Sequence, residues 1–333
     1  EIYILRYKLF SPMIDDDSTD VFSRFDGFSG VSIGALNAAC ICARKQIIQK
    51  LVRTNLSKFN TVCRYFSYSP QAIQTMIQEI SQNHYHNYSK LILELLLYIY
   101  IYDIQKILYK SFPYRIINFM NIFLSIYQDK QRISLIHDYL NIRFEELDQD
   151  LFITTYNIQT NLPNIITNHN RDSNSLASSM WLSEAVLMST SIIPYFKPYK
   201  NYVDGSLYNL NSTIQTFFYL QKTSNITPTY IIDVMLNSII NSQKKLTKYA
   251  GYYYSIKSII NIVYYNQRII DKNIIEFFNK SNSQLQYIII RPVTNMKYFD
   301  LMEFSKPHMI MNYAKQYTVS PYHRKIIHDI LSS

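Results

Sequence analysis

The stretch Gly27-Phe28-Ser29-Gly30-Val31-Ser32-Ile33-Gly34-Ala35-Leu36-Asn37-Ala38-Ala39 decides how the rest of this 333-residue chain is read. It holds Gly-x-Ser-x-Gly as Gly30, Ser32 and Gly34. A strand-like run, Val21 to Phe28, precedes it, and Ala35 to Lys45 reads as the opening of a helix. A serine pinned on a sharp strand-to-helix turn sits on strained backbone and projects its hydroxyl into solvent. Small neighbours are needed because strand and helix approach each other closely there. The chain has only 5 glycines, against an average usage of roughly 7%. Gly27, Gly30 and Gly34 fall within eight positions around Ser32, and Gly205 follows Asp204. A composition this poor in glycine keeps it where no other residue fits, so a chance match in a loop is the weaker reading.

The bulk numbers describe a globular chain. Hydrophobic residues make up 48% and charged residues 17%, enough apolar material for a sizeable core. The net charge of +9 suits anionic partners, but the basic residues are scattered, with no run longer than Lys244-Lys245. A solvated basic surface is as good a reading as a binding patch. No basic-aromatic motif points to nucleic acid. Cys40, Cys42 and Cys63 form an odd set without scaffold spacing, which argues for a reducing, cytoplasmic location and buried thiols rather than disulfides. Cys-x-Cys without a nearby histidine is a poor zinc site, and no loop has calcium-ligand spacing. No cofactor or metal is expected. The longest greasy run, Leu91 to Tyr102, carries Glu94 and is about twelve residues, short of the roughly 20 a spanning helix needs.

Along the chain, Glu1 to Phe10 suits one helix face and Ser11 to Asp20 a polar, acidic loop. From Val52 to Asp150 the pattern is helical. Ser69-Pro70 starts one helix, Lys90 to Lys110 forms another that is apolar on most of its circumference, and Ile116 to Tyr127 and Ile133 to Leu140 suggest two more. Leu151 to Tyr156 reads as a strand with a return strand at Asn164 to Thr167. Ser183 to Ser191 is a short helix, and Pro194 to Pro198 is extended between its prolines. Asn201-Tyr-Val-Asp-Gly-Ser-Leu reads as strand end, acidic residue and tight turn. Thr213 to Gln221 is helical, while Thr229 to Leu236 and Gln286 to Val293 are strands. Lys244 to Phe278 and Phe304 to Ser333 are helical. Strands separated by helices predict an α/β fold with a mainly parallel sheet covered on both faces.

Three motifs together narrow the family. Gly30 to Ala38 matches Gly-x-Ser-x-Gly-Ala-x-Asn-Ala, and Ser189 to Phe196 matches a small-residue helix ending in Pro-x-x-Phe. Tyr202, Asp204 and Gly205 match a Tyr-x-Asp-Gly-Gly turn. On these residues the sequence resembles the patatin-like phospholipases, in the right order along both ends of the chain. The helices from about 50 to 145 remain unmatched. Three departures accompany the match. Ser206 replaces the second glycine of the turn, and Leu210 and Ser212 replace an asparagine and a proline. The family's glycine-rich oxyanion loop is absent, and the expectation is that it lies upstream of Glu1.

The resemblance implies a single three-layer α/β/α domain over residues 1–333, truncated at its N-terminus, with a helical insertion at about 50–147. It implies a Ser-Asp dyad without histidine: Ser32 as nucleophile and Asp204 as general base, with Gly30, Ile33, Gly34 and Gly205 as motif and oxyanion support. The implied activity is phospholipase A-type hydrolysis of membrane glycerolipids, with peripheral membrane contact. A carboxylate of ordinary pKa is a weak base toward a hydroxyl, so Asp204 must be desolvated and close to Ser32. Two other readings stay open. One is a catalytically silent lipid-binding module that keeps the fold. The other is an α/β-hydrolase triad using His308, the one histidine whose place in the order fits; the remaining six read as surface or packing residues.

Overall fold

The computed structural model describes residues 21–65, 68–82, 129–169, 179–193, 196–209, 211–224, 230–234 and 286–290, with isolated positions at 270, 273, 274, 277, 325 and 329. In chain order, a 3-10 turn, Val21–Arg24, leads into strand β1 (Gly27–Val31). Helices α1 (Ile33–Cys42), α2 (Arg44–Thr54), α3 (Leu56–Tyr65), α4 (Pro70–Ser81) and α5 (Asp129–Leu140) follow. Then come β2 (Asp150–Asn157), β3 (Leu162–Thr167), α6 (Leu182–Ser189), β4 (Tyr202–Asp204), α7 (Ser212–Ser224), β5 (Tyr230–Val234) and β6 (Gln286–Ile290). The architecture is α/β. The expected helices at Glu1 to Phe10, Lys90 to Lys110, Ile116 to Tyr127, Lys244 to Phe278 and Phe304 to Ser333 lie essentially outside the described residues.

β2 organises the sheet. Its N-terminal half pairs in parallel with β1, from Gly27 opposite Asp150 to Val31 opposite Thr154. Its other edge pairs antiparallel with β3, the return strand of a hairpin whose turn uses Asn161 at φ 55°. Its C-terminal half pairs antiparallel with β4. β5 and β6 form a separate parallel pair. Described pairings therefore divide evenly between parallel and antiparallel.

The β2 sequence runs Leu-Phe-Ile without apolar–polar alternation and is buried from Leu151 to Thr155, as suits a strand covered on both faces. Leu151 and Ile153 join the main core with α1 and α6. Phe152, on the opposite face, meets the Tyr219 ring of α7 at 6.1 Å, and Ser29 of β1 is hydrogen-bonded to Thr216 of the same helix at 2.7 Å. On the α1 side, Leu151, Ile153, Leu182, Val186 and Leu187 are fully buried, each contributing about 1.5–3 kcal/mol. α1 is alanine-rich, a strong helix former, and is buried nearly all round, packed on the sheet beside α6, which itself contacts β2 and β4. It stops at Cys42 rather than running to Lys45. The buried Arg44 guanidinium there donates to Ile41 O at 2.7 Å and to Gln149 Oε1 at 2.8 Å, adding a side-chain donor at the helix end.

Two other expectations shift. The run Val21 to Phe28 splits into the 3-10 turn and a later strand. The Gln149 amide donates to both Phe22 O and Phe25 O, which holds the carbonyls in a turn that no ladder competes for. In the segment expected to be extended from Pro194 to Pro198, Phe196 N donates back to Ile192 O at 2.9 Å, while Pro194 and Tyr195 lie outside the described residues. The Ser69-Pro70 start stands: Ser69 accepts from Ala72 N at 3.2 Å, with Pro70 in the first turn, a cap worth about 1 kcal/mol.

Candidate active site

The turn around Ser32 is built by contact. β1 ends at Val31 and α1 begins at Ile33, which leaves Ser32 alone between them at φ 56°, ψ −127°. For a residue with a side chain this region costs of order 1–3 kcal/mol and persists only when the surroundings enforce it. Three hydrogen bonds do so. Ser32 N donates to Ser189 Oγ at 2.9 Å, while Ser32 O accepts from Ala35 N at 3.0 Å and Leu36 N at 3.4 Å. Ser189 is fully buried and donates in turn to Thr154 O at 2.7 Å. One hydroxyl thus ties the turn to the middle of β2.

The glycines divide into two kinds. A Cβ on Gly30 would lie 2.2 Å from Gly34 O and 2.5 Å from Ala35 N, both backbone atoms; this is the close strand–helix approach expected from the motif. A Cβ on Gly34 would meet no described atom within 4 Å. Gly34 is therefore not held to glycine by packing, contrary to that expectation. With Ile33 it occupies the first turn of α1, where backbone N–H groups have no intrahelical acceptor and the helix dipole is positive. Such donors suit an oxyanion. Gly205 behaves like Gly30, since its Cβ would come within 2.5 Å of Thr154 O.

Asp204 reaches the same place from a distant part of the sequence. Tyr199 and Tyr202 exchange N–H···O bonds of 2.9 Å around Lys200 and Asn201, at φ 49° and 65°, a two-residue turn whose positive φ values match strand twist. β4 leaves that turn and lays Asp204 opposite Thr155, next to Thr154, which faces Val31. Ser32 and Asp204 therefore emerge side by side on one edge of β2. The Asp204 backbone N donates to Ser191 O at 3.0 Å, and its Oδ1 accepts from Ser206 N at 2.8 Å.

Asp204 is fully buried. Burial pushes its carboxyl from 3.8 up to about 6, while the adjacent Ser32 hydroxyl, Ser206 and the Arg132 charge pull it back toward ionisation. The Ser32 hydroxyl lies near enough to favour the carboxylate by hydrogen bonding, while the buried Oδ2 has no hydrogen-bond partner among the described residues. An acceptor oxygen thus stays open close to the serine. A carboxylate near 6 is a stronger base than an ordinary one and is still largely ionised at pH 7.

Two residues of this site have no role assigned from the sequence. Ser189, which opens the segment matched to Pro-x-x-Phe, is one. Arg132 on α5 is the other, and it is bonded to Thr190 and Ser191, immediately after α6. Its signal in the sequence is a charged residue in the apolar stripe of its helix, with Leu135, Ile136 and Tyr139 three, four and seven positions on; all four are buried.

The other candidates fall elsewhere. His169 pairs with Asp150 at 2.5 Å, at the N-terminal end of β2, four residues before Thr154 and so away from the Ser32–Asp204 pair. His84, His86, His308, His323 and His328 lie outside the described residues. Cys40, Cys42 and Cys63 are buried and form no disulfide among the described residues. Burial pushes the Cys40 thiol up to about 12 and raises that of Cys42 as well. Among the described residues, no helix is long and apolar enough to cross a membrane.

A family model for patatin-like phospholipases matches residues 4–217, well over half of the chain. The chain belongs to the patatin-like phospholipase family. The matched stretch includes Ser32, Arg132, Ser189 and Asp204, whereas β5 and β6 follow it. No curated protein matches the chain. Membership of this family suggests action on lipid esters and agrees with the α/β architecture.

Proposed function

We propose that this patatin-like chain is a lipid acyl hydrolase that cleaves fatty-acyl esters of membrane glycerolipids through Ser32 and Asp204. The observation that carries the reading is the β2 register, with Thr154 opposite Val31 and Thr155 opposite Asp204. It sets a strained serine beside a buried carboxylate with an open oxygen. In this reading the domain is a three-layer α/β/α unit, and the helices at about 50–147 are an insertion after the nucleophile helix. The protein works in a reducing compartment and meets membranes peripherally.

The chemistry proceeds in two halves. Asp204 accepts the Ser32 hydroxyl proton as Oγ attacks the ester carbonyl carbon. The N–H groups of Ile33 and Gly34 face the resulting oxyanion, the kind of preorganised stabilisation that is often the largest single contribution to rate. Collapse breaks the ester C–O bond, and Asp204 returns the proton to the departing alcohol, leaving an acyl group on Ser32. Water then gives its proton to Asp204 and attacks the acyl carbon, and the fatty acid leaves as Ser32 is reprotonated. No histidine is required because burial has already raised the basicity of the carboxylate.

The test is fatty-acid release from anionic phospholipid vesicles, together with fluorophosphonate labelling of Ser32. Ser32→Ala and Asp204→Asn should each abolish release, and Asp204→Asn should also slow labelling. Labelling at the wild-type rate in Asp204→Asn would remove Asp204 from the mechanism. Vesicle binding without release or labelling would favour the catalytically silent lipid-binding module.

A further inference from the structure

The site described above has two halves on separate strands, and a three-residue segment connects them. Ser189 Oγ accepts the Ser32 N–H, and Ser191 O accepts the Asp204 N–H. Thr190 lies between. Any movement of this segment changes the distance between nucleophile and base. What holds it comes from α5, outside both catalytic motifs.

Arg132 is 6% exposed. Its Nη1 donates to Thr190 O at 3.1 Å and to Thr190 Oγ1 at 2.8 Å, and its Nη2 donates to Ser191 Oγ at 3.2 Å. Its Nε donates to Asp129 Oδ1 at 2.9 Å, and its guanidinium carbon stands 4.2 Å from the Phe196 ring centroid. Asp129 Oδ2 accepts from Lys197 N at 3.2 Å, so the first turn of α5 grips the chain at Thr190 and Ser191 and again at Lys197. A planar fork with several fixed donors holds such a segment in a way that a lysine ammonium cannot. A buried guanidinium is also expensive unless it is paired. Asp129 pairs with it directly and Asp204 acts on it through space.

We propose that Arg132 is a positioning residue for the Ser32–Asp204 pair, clamping Thr190 and Ser191 so that nucleophile and base keep their spacing, and setting a fixed positive charge behind the Asp204 carboxylate. This rests on the acyl-hydrolase reading above. The charged and titratable groups that face Asp204 and Arg132 among the described residues are those two and Asp129. The electrostatic part therefore has a definite sign: removing the Arg132 charge makes Asp204 harder to ionise.

The experiment uses the full chain with Arg132→Met, Arg132→Lys and Ser191→Ala. Two readouts are taken against pH. One is the titration of the Asp204 carboxyl, isolated as the infrared difference from Asp204→Asn, and the other is the rate of fluorophosphonate labelling of Ser32. Arg132→Met should move the carboxyl midpoint up by roughly half a pH unit, less than the 1–3 units of a directly contacting pair. It should also lower the high-pH labelling plateau by roughly tenfold, as expected for a reacting pair displaced by a fraction of an ångström. Arg132→Lys keeps the charge and loses the fork, so the midpoint should return toward wild type while the plateau stays low. If Arg132→Met does not fold, Arg132→Lys and Ser191→Ala carry the test, each with a lowered plateau expected. A wild-type midpoint and plateau in every folded variant would overturn the proposal. Failure of the hydrolase reading looks different: wild-type Ser32 is then inert or indifferent to Asp204→Asn, while the carboxyl titration still reports on Arg132.

Discussion

Asp204→Asn should make this protein more stable at neutral pH while removing its base. The carboxyl titrates at about 6 in the fold against 3.8 when unperturbed. Because the folded value is the higher one, the native state binds the proton more tightly than the unfolded chain does. The contribution of this group to stability is thus fully present below 3.8 and is lost as pH rises through 6. The gap, at about 1.4 kcal/mol per pH unit, puts the cost of the ionised carboxylate near 3 kcal/mol at pH 7 and above. Asparagine is neutral throughout, and its Oδ1 keeps the bond from Ser206 N. At roughly 2 °C per kcal/mol for a chain of this size, Tm should rise by about 6 °C at pH 7.5. Thermal melts followed by circular dichroism from pH 3.5 to 8 would show the gain opening between about 4 and 6 and absent at the acid end. An Asp204→Asn variant no more stable than wild type at pH 7.5, or one whose gain does not depend on pH, would refute the account of a strained buried charge.

Further expectations come from neighbouring contacts. Gly30→Ala drives a Cβ into Gly34 O and Ala35 N and should cost 3 kcal/mol or more, roughly, in a denaturation midpoint. Gly34→Ala meets open space and should fold with a change within about 1 kcal/mol, of either sign. Ser189→Ala orphans both the Ser32 N–H and Thr154 O and should cost about 2–4 kcal/mol by urea unfolding. It should also reduce fluorophosphonate labelling, because the strained turn loses its tie. Wild-type labelling should rise with pH through about 6 as Asp204 ionises, and an acid limb centred near 4 instead would contradict the burial effect. Iodoacetamide should modify the cysteines only after denaturant is added, since all three thiols are buried.

Much of this site was legible in the sequence because glycine is so scarce. Gly30 and Gly205 mark places where one chain segment crosses another within a Cβ's reach, and the same scarcity drew attention to Ser32 and Asp204. Local punctuation also carried well: Ser69-Pro70 as a helix start, and the Asp-Gly turn after β4. What did not show was anything that depends on register. Nothing in the spacing of Val31, Thr154 and Asp204 says that they share one strand edge. Ser189 read as one small residue among several in a helix, since its role exists only once α6 lies against β2. Arg132 belongs to a helix whose pattern looked like ordinary packing, and a buried guanidinium acquires meaning only from the carbonyls around it. The split of Val21 to Phe28 has the same origin, because the Gln149 amide that holds the turn lies more than a hundred residues away.

The β2 edge acts as a ruler. Two adjacent threonine positions set how far the serine turn lies from the aspartate, and neither measurement runs through the chain that links β1 to β2. Helices α2 to α4 can lengthen, shorten or change character without altering that ladder, provided its first and last few rungs still pair and Arg132 still holds Thr190 and Ser191. Change in those helices is thus compatible with unchanged chemistry, because the spacing of serine and aspartate is kept to scale by one strand and one buried arginine.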